Sequence, residues 1–347
     1  MTSKNNTSLS TNIDTQVNCS TSKPQTTLDR RFSVAPMMDW SDRHCRYFWR
    51  LMSRHAVLYT EMVTTGALIH GDRERFLNFN IEEQPLALQL GGSNAKELVL
   101  CAKMAEEWGY NEVNLNCGCP SDRVQNGMIG ACLMAHPKKV ADGLKAMQDA
   151  VSIPVTVKHR IGIDDMDDYA ELEEFVLQSA NKGIQTFIVH ARKAWLQGLS
   201  PKQNRDKPPL NYERVYRLKA EHPELEIIIN GGITDIAQCL THLEQVDGVM
   251  VGREAYHNPY LLAEVDQKIY GDSHSSLTRA ETIRAFMKYI EMELTRGTRL
   301  HHMTRHILGM YQGVRGAKQF RRHISENAYK DCAGVQVLAD AFTFINE

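Results

Sequence analysis

The chain has 347 residues, 42% of them hydrophobic and 24% charged, with 40 basic against 42 acidic side chains. That apolar fraction excludes global disorder and collagen-like structure, and the length suits one large domain or two unequal ones. No stretch approaches the ~18 apolar residues of a membrane span, and MTSKNNTSLS lacks the apolar core of a secretion signal, so a cytoplasmic protein with no membrane association is expected.

The 8 cysteines are scattered, which argues against a disulfide framework. Cys117 and Cys119 form a C-x-C pair with no second pair at finger spacing, so no metal is expected. Charge is uneven: residues 1–272 carry -6, residues 273–330 carry +7 with five histidines, and residues 331–347 carry -3. A cationic module on an acidic body suits a polyanionic partner, although such a run also describes a solvated helix face.

Residues 1–28 are rich in Ser, Thr, Asn and Gln and read as a disordered tail. Short apolar runs follow: FSVAPM, AVLYTEM, PLALQL, EVNLNC, PVTVKHR, TFIVHAR, EIIIN and GVMVGR. Helix-period segments separate most of them, near residues 94–108, 138–150, 169–181, 212–222 and 235–243. Asn94, with Glu97 three residues on, has the form of a capping box. Strands alternating with helices predict a parallel sheet covered on both faces. Eight such units over residues 29–272 fit an α/β fold, a (β/α)8 TIM barrel, with an open doubly wound sheet as the rival. Residues 273–347 lose the strand signal and read as a basic all-helical domain, with helices near 280–293, 301–311 and 317–329.

In a barrel the working residues sit at the C-terminal ends of the strands. Those ends carry Pro36, Met37 and Met38; Gln89; Asn116, Cys117 and Cys119; Lys158 with Arg160; His190 with Arg192; Asn230, Gly231 and Gly232; and Gly252 with Arg253. Glycines after the last two strands let backbone N–H groups approach an anion, and Arg253 suits a phosphate; a plain tight turn is the alternative. Lys158 ends a buried strand, where an unpaired ammonium is costly. It fits a Schiff base, a charge facing the electron-accepting end of a flavin, or a salt bridge to a neighbouring strand. His190 and Gln89 are suited to hydrogen bonding with a cofactor. Cys119 follows a glycine in a loop, and an ordinary thiol, with a pKa of ~8.5, can act as acid or nucleophile. Cys117 suits inert packing.

Taken together, APMMDWSDRHCR, LQLGG, NLNCGCPSDRVQNGMIGACLM, VTVKHRIG, FIVHARKAWLQGLSPKQNR, IIINGGI and VMVGREAYHNP resemble the tRNA-dihydrouridine synthases, and the loop lengths are most similar to the A-type subfamily. The resemblance implies an FMN-containing, NADPH-dependent reductase that acts on U20 and U20a of the tRNA D-loop. It implies FMN contacts from Pro36, Met37, Met38, Gln89, Lys158 and His190, with Asn230, Gly231, Gly232, Gly252 and Arg253 at the phosphate end. Cys119 would be the proton donor, and Asn116, Lys202, Arg205, Gln319 and Arg322 would contact tRNA. No G-x-G-x-x-G follows a strand, so NADPH is expected to dock transiently. A monomer without a stable protein partner is expected. A flavin barrel acting on a free pyrimidine, a colourless RNA-binding barrel and a Schiff-base aldolase are the competing readings.

Overall fold

A computed structural model describes residue 1, residues 28–121 and residues 127–345. The expected polar tail therefore lies almost wholly outside the described residues. The eight apolar runs form β1 (Phe32–Val34), β2 (Val57–Thr64), β3 (Leu86–Gly91), β4 (Glu112–Cys117), β5 (Val155–Arg160), β6 (Thr186–His190), β7 (Glu226–Asn230) and β8 (Gly248–Val251). Every neighbour pairs in parallel, and β8 returns to β1 with Ser33 opposite Met250. The sheet is a closed barrel, so the open doubly wound alternative is ruled out.

Side-chain alternation divides each strand between two cores. Along β4, Val113, Leu115 and Cys117 join the apolar shell beneath the helices, while Glu112, Asn114 and Asn116 face the barrel interior. Cys117 is thus packing, as its sequence position implied. The interior holds a small apolar layer of Val57, Tyr59, Ala87, Ile188, Ile228 and Met250. Below it, at the strand N-termini, the Arg30 guanidinium donates to Glu112 at 2.6 Å and to Glu226 at 3.0 Å. The Tyr59 and Thr156 hydroxyls donate to the other Glu112 oxygen at 2.7 and 2.6 Å. Buried charge is tolerable only when paired and hydrogen-bonded, and this plug meets both conditions.

The outer helices begin close to the sequence expectation, over Ala95–Glu107, Pro137–Ala150, Tyr169–Ala180, Tyr212–Glu221 and Ile236–Leu243. Asn94 caps the first of these through the N–H groups of Lys96 and Glu97. Glu97 does not close a capping box; its carboxylate accepts from the Thr65 hydroxyl at 2.7 Å and ties the helix to the end of β2.

After β8 the described chain is helical. Arg279–Thr295, opened by a Thr278/Glu281 capping box, packs on the Arg43–Arg50 helix. Tyr47 stacks on Tyr289 at 4.0 Å, Phe48 meets Phe286 at 5.0 Å, and Arg43 pairs with Glu293 at 2.5 Å. The Ala317–Asn327 helix also matches expectation. The helix expected near 301–311 does not: helical structure stops at Leu300–Thr304 with a 3-10 turn over Arg305–Ile307. Just past that turn Gly309 passes close to the segment after β8, where a Cβ would lie 2.3 Å from the His257 carbonyl oxygen. A closing helix, Gln336–Phe342, was not anticipated.

Candidate active site

The strand C-termini surround a cavity of about 610 Å³. Every residue expected to touch the cofactor lines it: Pro36, Met37 and Met38 after β1, Gln89, Lys158, His190, then Asn230, Gly231 and Gly232, and finally Gly252 and Arg253. Cys119, Asn116 and Arg205 line it as well.

A continuous hydrogen-bonded column rises from the barrel plug to this cavity. Thr156 accepts from Asn114 at 2.8 Å, Asn114 accepts from Gln89 at 2.8 Å, and Gln89 accepts from Asn116 at 2.8 Å. The Asn116 oxygen then accepts from the backbone N–H groups of Gly118 and Cys119, at 3.0 and 2.9 Å. Each amide is oriented by the one below it, so the column fixes the loop that carries the thiol. Asn116, expected to contact tRNA, is 8% exposed, and both ends of its amide are engaged within the protein.

On the neighbouring strand β5, Lys158 lies in register with Asn116; its Nζ donates to Asn230 Oδ1 at 3.0 Å, and Asn230 is anchored by donating to the Met250 carbonyl at 2.7 Å. Among the described residues no carboxylate pairs with Lys158, which removes the salt-bridge reading. Burial, helped by Arg160, brings its ammonium down to about 7. His190 is held well below its ordinary range by burial first, then by Arg160 and Lys158. The imidazole is therefore neutral, and no described residue hydrogen-bonds to its ring.

Gly231 and Gly232 follow β7 with φ of +120° and +74°. A Cβ at Gly231 would lie 2.7 Å from His190 Cδ2, and one at Gly232 would lie 2.5 Å from Leu210 Cδ1. Only glycine supplies both the conformation and the space. The backbone N–H groups of Gly232, Ile233 and Gly252 donate to no described residue and are available to an anion. Arg253, expected at the phosphate end, pairs with Asp206 at 2.7 Å.

Residues 33–346 match the family model described as Dihydrouridine synthase (Dus). The chain belongs to the dihydrouridine synthase family. A Shewanella oneidensis protein named tRNA-dihydrouridine(20/20a) synthase is 60% identical to it, over 91% of this chain and 94% of that protein. A Pseudomonas putida protein of the same name is 58% identical, over 92% and 96%. Among solved structures, a 2-naphthoyl-CoA reductase in complex with 2-naphthoyl-CoA superposes with a TM-score of 0.54 at 12% identity, covering 68% of this chain and 50% of that one. That likeness concerns the fold alone.

The remaining expected residues of this dihydrouridine synthase lie outside the cavity. Lys202 is exposed just before the Gln203–Asp206 helix, and Gln319 and Arg322 are exposed on Ala317–Asn327. Arg322 pairs with Glu326 one turn on. Sequence reasoning gave no role to Trp40, Met62, Arg160 or His257, all of which line the cavity. Arg160 carried a signal, since it shares the inward face of β5 with Lys158 two residues earlier. Trp40 and His257 carried none: they meet only because Trp40 stacks on Tyr256 at 4.4 Å and turns its ring to His257.

Proposed function

We propose that this enzyme holds FMN in the barrel mouth and, with NADPH as reductant, converts uridine to 5,6-dihydrouridine at positions 20 and 20a of the tRNA D-loop. The residues present fit that cofactor. A glycine-lined cradle with free backbone N–H groups suits a phosphate, and Lys158, Arg160, Arg192, Arg205 and Arg253 supply positive charge around the cavity. The Lys158 ammonium and the neutral His190 ring offer donors to a polar ring edge.

Bound FMN would supply the hydride that uracil accepts at C6, the end of a C5=C6 bond conjugated to the C4 carbonyl. The chain's own task is then to deliver a proton to C5. Cys119 is the acid in this reading, held at the cavity wall by the Asn116 oxygen on its own N–H and on that of Gly118. Asn230 keeps Lys158 aimed into the cavity, where burial makes its charge costly until an anionic partner arrives. Swinging a nucleotide out of folded tRNA costs a few kcal/mol, and cationic contacts elsewhere must offset it. Lys202 and Arg205 at the rim and Arg322 on the helical unit take that part, with Gln319 beside Arg322 as a neutral hydrogen-bonding contact.

The observation that carries the reading is that an acid, a cation and a phosphate-sized glycine cradle share one cavity. Purified protein should retain FMN stoichiometrically, and cells lacking it should lose dihydrouridine at positions 20 and 20a alone. Unchanged dihydrouridine at both positions would reject it. The enzyme is read as a cytoplasmic monomer, which sedimentation at working concentration tests for its oligomeric part.

A further inference from the structure

Arg160 is 3% exposed at the last position of β5, and none of the described carboxylates pairs with it. Its guanidinium is shared among three backbone carbonyls instead. Nε donates to Gly118 at 3.1 Å, and Nη1 donates to Asn204 at 3.0 Å and to Lys193 at 3.3 Å. Gly118 precedes Cys119. Lys193 and Asn204 belong to the long segment after β6 that carries Lys202 and Arg205. One buried side chain therefore touches both the loop that carries the acid and the segment that carries the rim cations.

The segment is itself drawn together at the same place. The Asn204 side chain accepts from Trp195 N–H at 2.8 Å and donates to the carbonyls of Trp195 at 2.8 Å and Leu199 at 3.2 Å. On the other side, Asn116 holds the Gly118 and Cys119 N–H groups. The planar fork places its donors on two separate nitrogens, Nε toward Gly118 and Nη1 toward Lys193 and Asn204, whereas the three N–H donors of a lysine radiate from one atom and do not reproduce that span. Burying a guanidinium without a counter-charge is unfavourable, so its hydrogen bonds to these carbonyls must offset that cost.

We propose that Arg160 is a positioning residue that bolts the Cys119 loop to the 193–205 segment, so that the acid and the tRNA-contacting rim keep one register. The proposal rests on the functional reading above for its purpose, but its test does not. In FMN-loaded protein without tRNA or NADPH, Arg160→Lys and Arg160→Met should both raise hydrogen exchange at 118–121 and at 193–205 by about tenfold, the factor expected for a lost buried hydrogen bond. Alkylation of Cys119 should accelerate alongside, while exchange in the Arg279–Thr295 helix stays unchanged. Asn204→Ala, which leaves the guanidinium in place, should loosen 193–205 more than 118–121. In turnover with tRNA, Arg160→Lys should be as impaired as Arg160→Met. Loosening of one segment alone would overturn the bolt, as would restoration of wild-type exchange or turnover by lysine, because either outcome would mean that only the charge matters.

Discussion

The backbone N–H of Cys119 donates to the Asn116 side chain 2.9 Å away, and that side chain is in turn oriented by Gln89. The loop that carries Cys119 is therefore an extension of the barrel's polar interior. Asn116→Ala would leave the Gly118 and Cys119 N–H groups and the Gln89 oxygen without this partner. Each such loss in a buried setting costs about 1–3 kcal/mol. We expect a lower melting temperature and tRNA turnover reduced by about 10- to 100-fold, read by calorimetry and single-turnover assay. Wild-type turnover would show that the loop holds its shape unaided.

Cys119→Ala removes the proposed acid and leaves the Asn116 contacts to the backbone intact. The variant should stay yellow and accept electrons from NADPH. Its reaction with tRNA should slow by about 10²–10⁴-fold, the usual contribution of general acid catalysis. Stopped-flow absorbance separates the two half-reactions, and an unchanged second half-reaction would contradict the assignment.

Lys158 should make binding of the proposed FMN depend on proton concentration. Its ammonium is lowered to about 7 by burial and Arg160, so above that pH the empty site holds a neutral amine. An anionic partner favours the charged form, and binding above pH 7 therefore takes up a proton. FMN affinity should be insensitive to this group below pH 7 and weaken by up to tenfold per unit above it. Fluorescence titration across pH 6–9 should show that slope in the wild type and lose it in Lys158→Met.

Gly231→Ala would place a methyl carbon 2.7 Å from His190 Cδ2 at a φ of +120°. Both strain and collision fall on the cradle. The expected product is a folded protein that purifies nearly colourless and regains FMN only at high concentration. Stoichiometric flavin in that variant would place the phosphate elsewhere.

Arg322 is exposed on the helical unit and pairs with Glu326. Replacing it with alanine should weaken tRNA binding and reduce the slope of log K against log salt by about one. Flavin content should not change. A slope equal to that of the wild type would mean that Arg322 meets no phosphate.

Much of this architecture was legible before any coordinates. Eight apolar runs separated by helical segments required a parallel sheet, and polar residues at the ends of buried strands marked the working face. Lys158, His190 and the glycines after β7 and β8 stood out because burial would otherwise favour Val or Leu there. Local pattern failed where a distant neighbour decided the outcome. The helix expected near 301–311 stops at Thr304, ahead of the close approach of Gly309 to His257, and Glu97 turns from its own helix end to Thr65.

What the order of residues determined by itself was a parallel sheet of eight helix-covered strands, the polar residues and glycines at the strand ends and the excess of positive charge near the C-terminus. These depend on periodicity and composition, which act over a few neighbouring positions. Only the tertiary structure decided that Arg253 is paired with Asp206, that Asn116 faces inward to hold the Cys119 loop, and that Arg160 joins two loops. Each of those depends on a hydrogen bond between segments far apart along the chain. Its geometry exists only once the barrel has closed and brought the strand ends together.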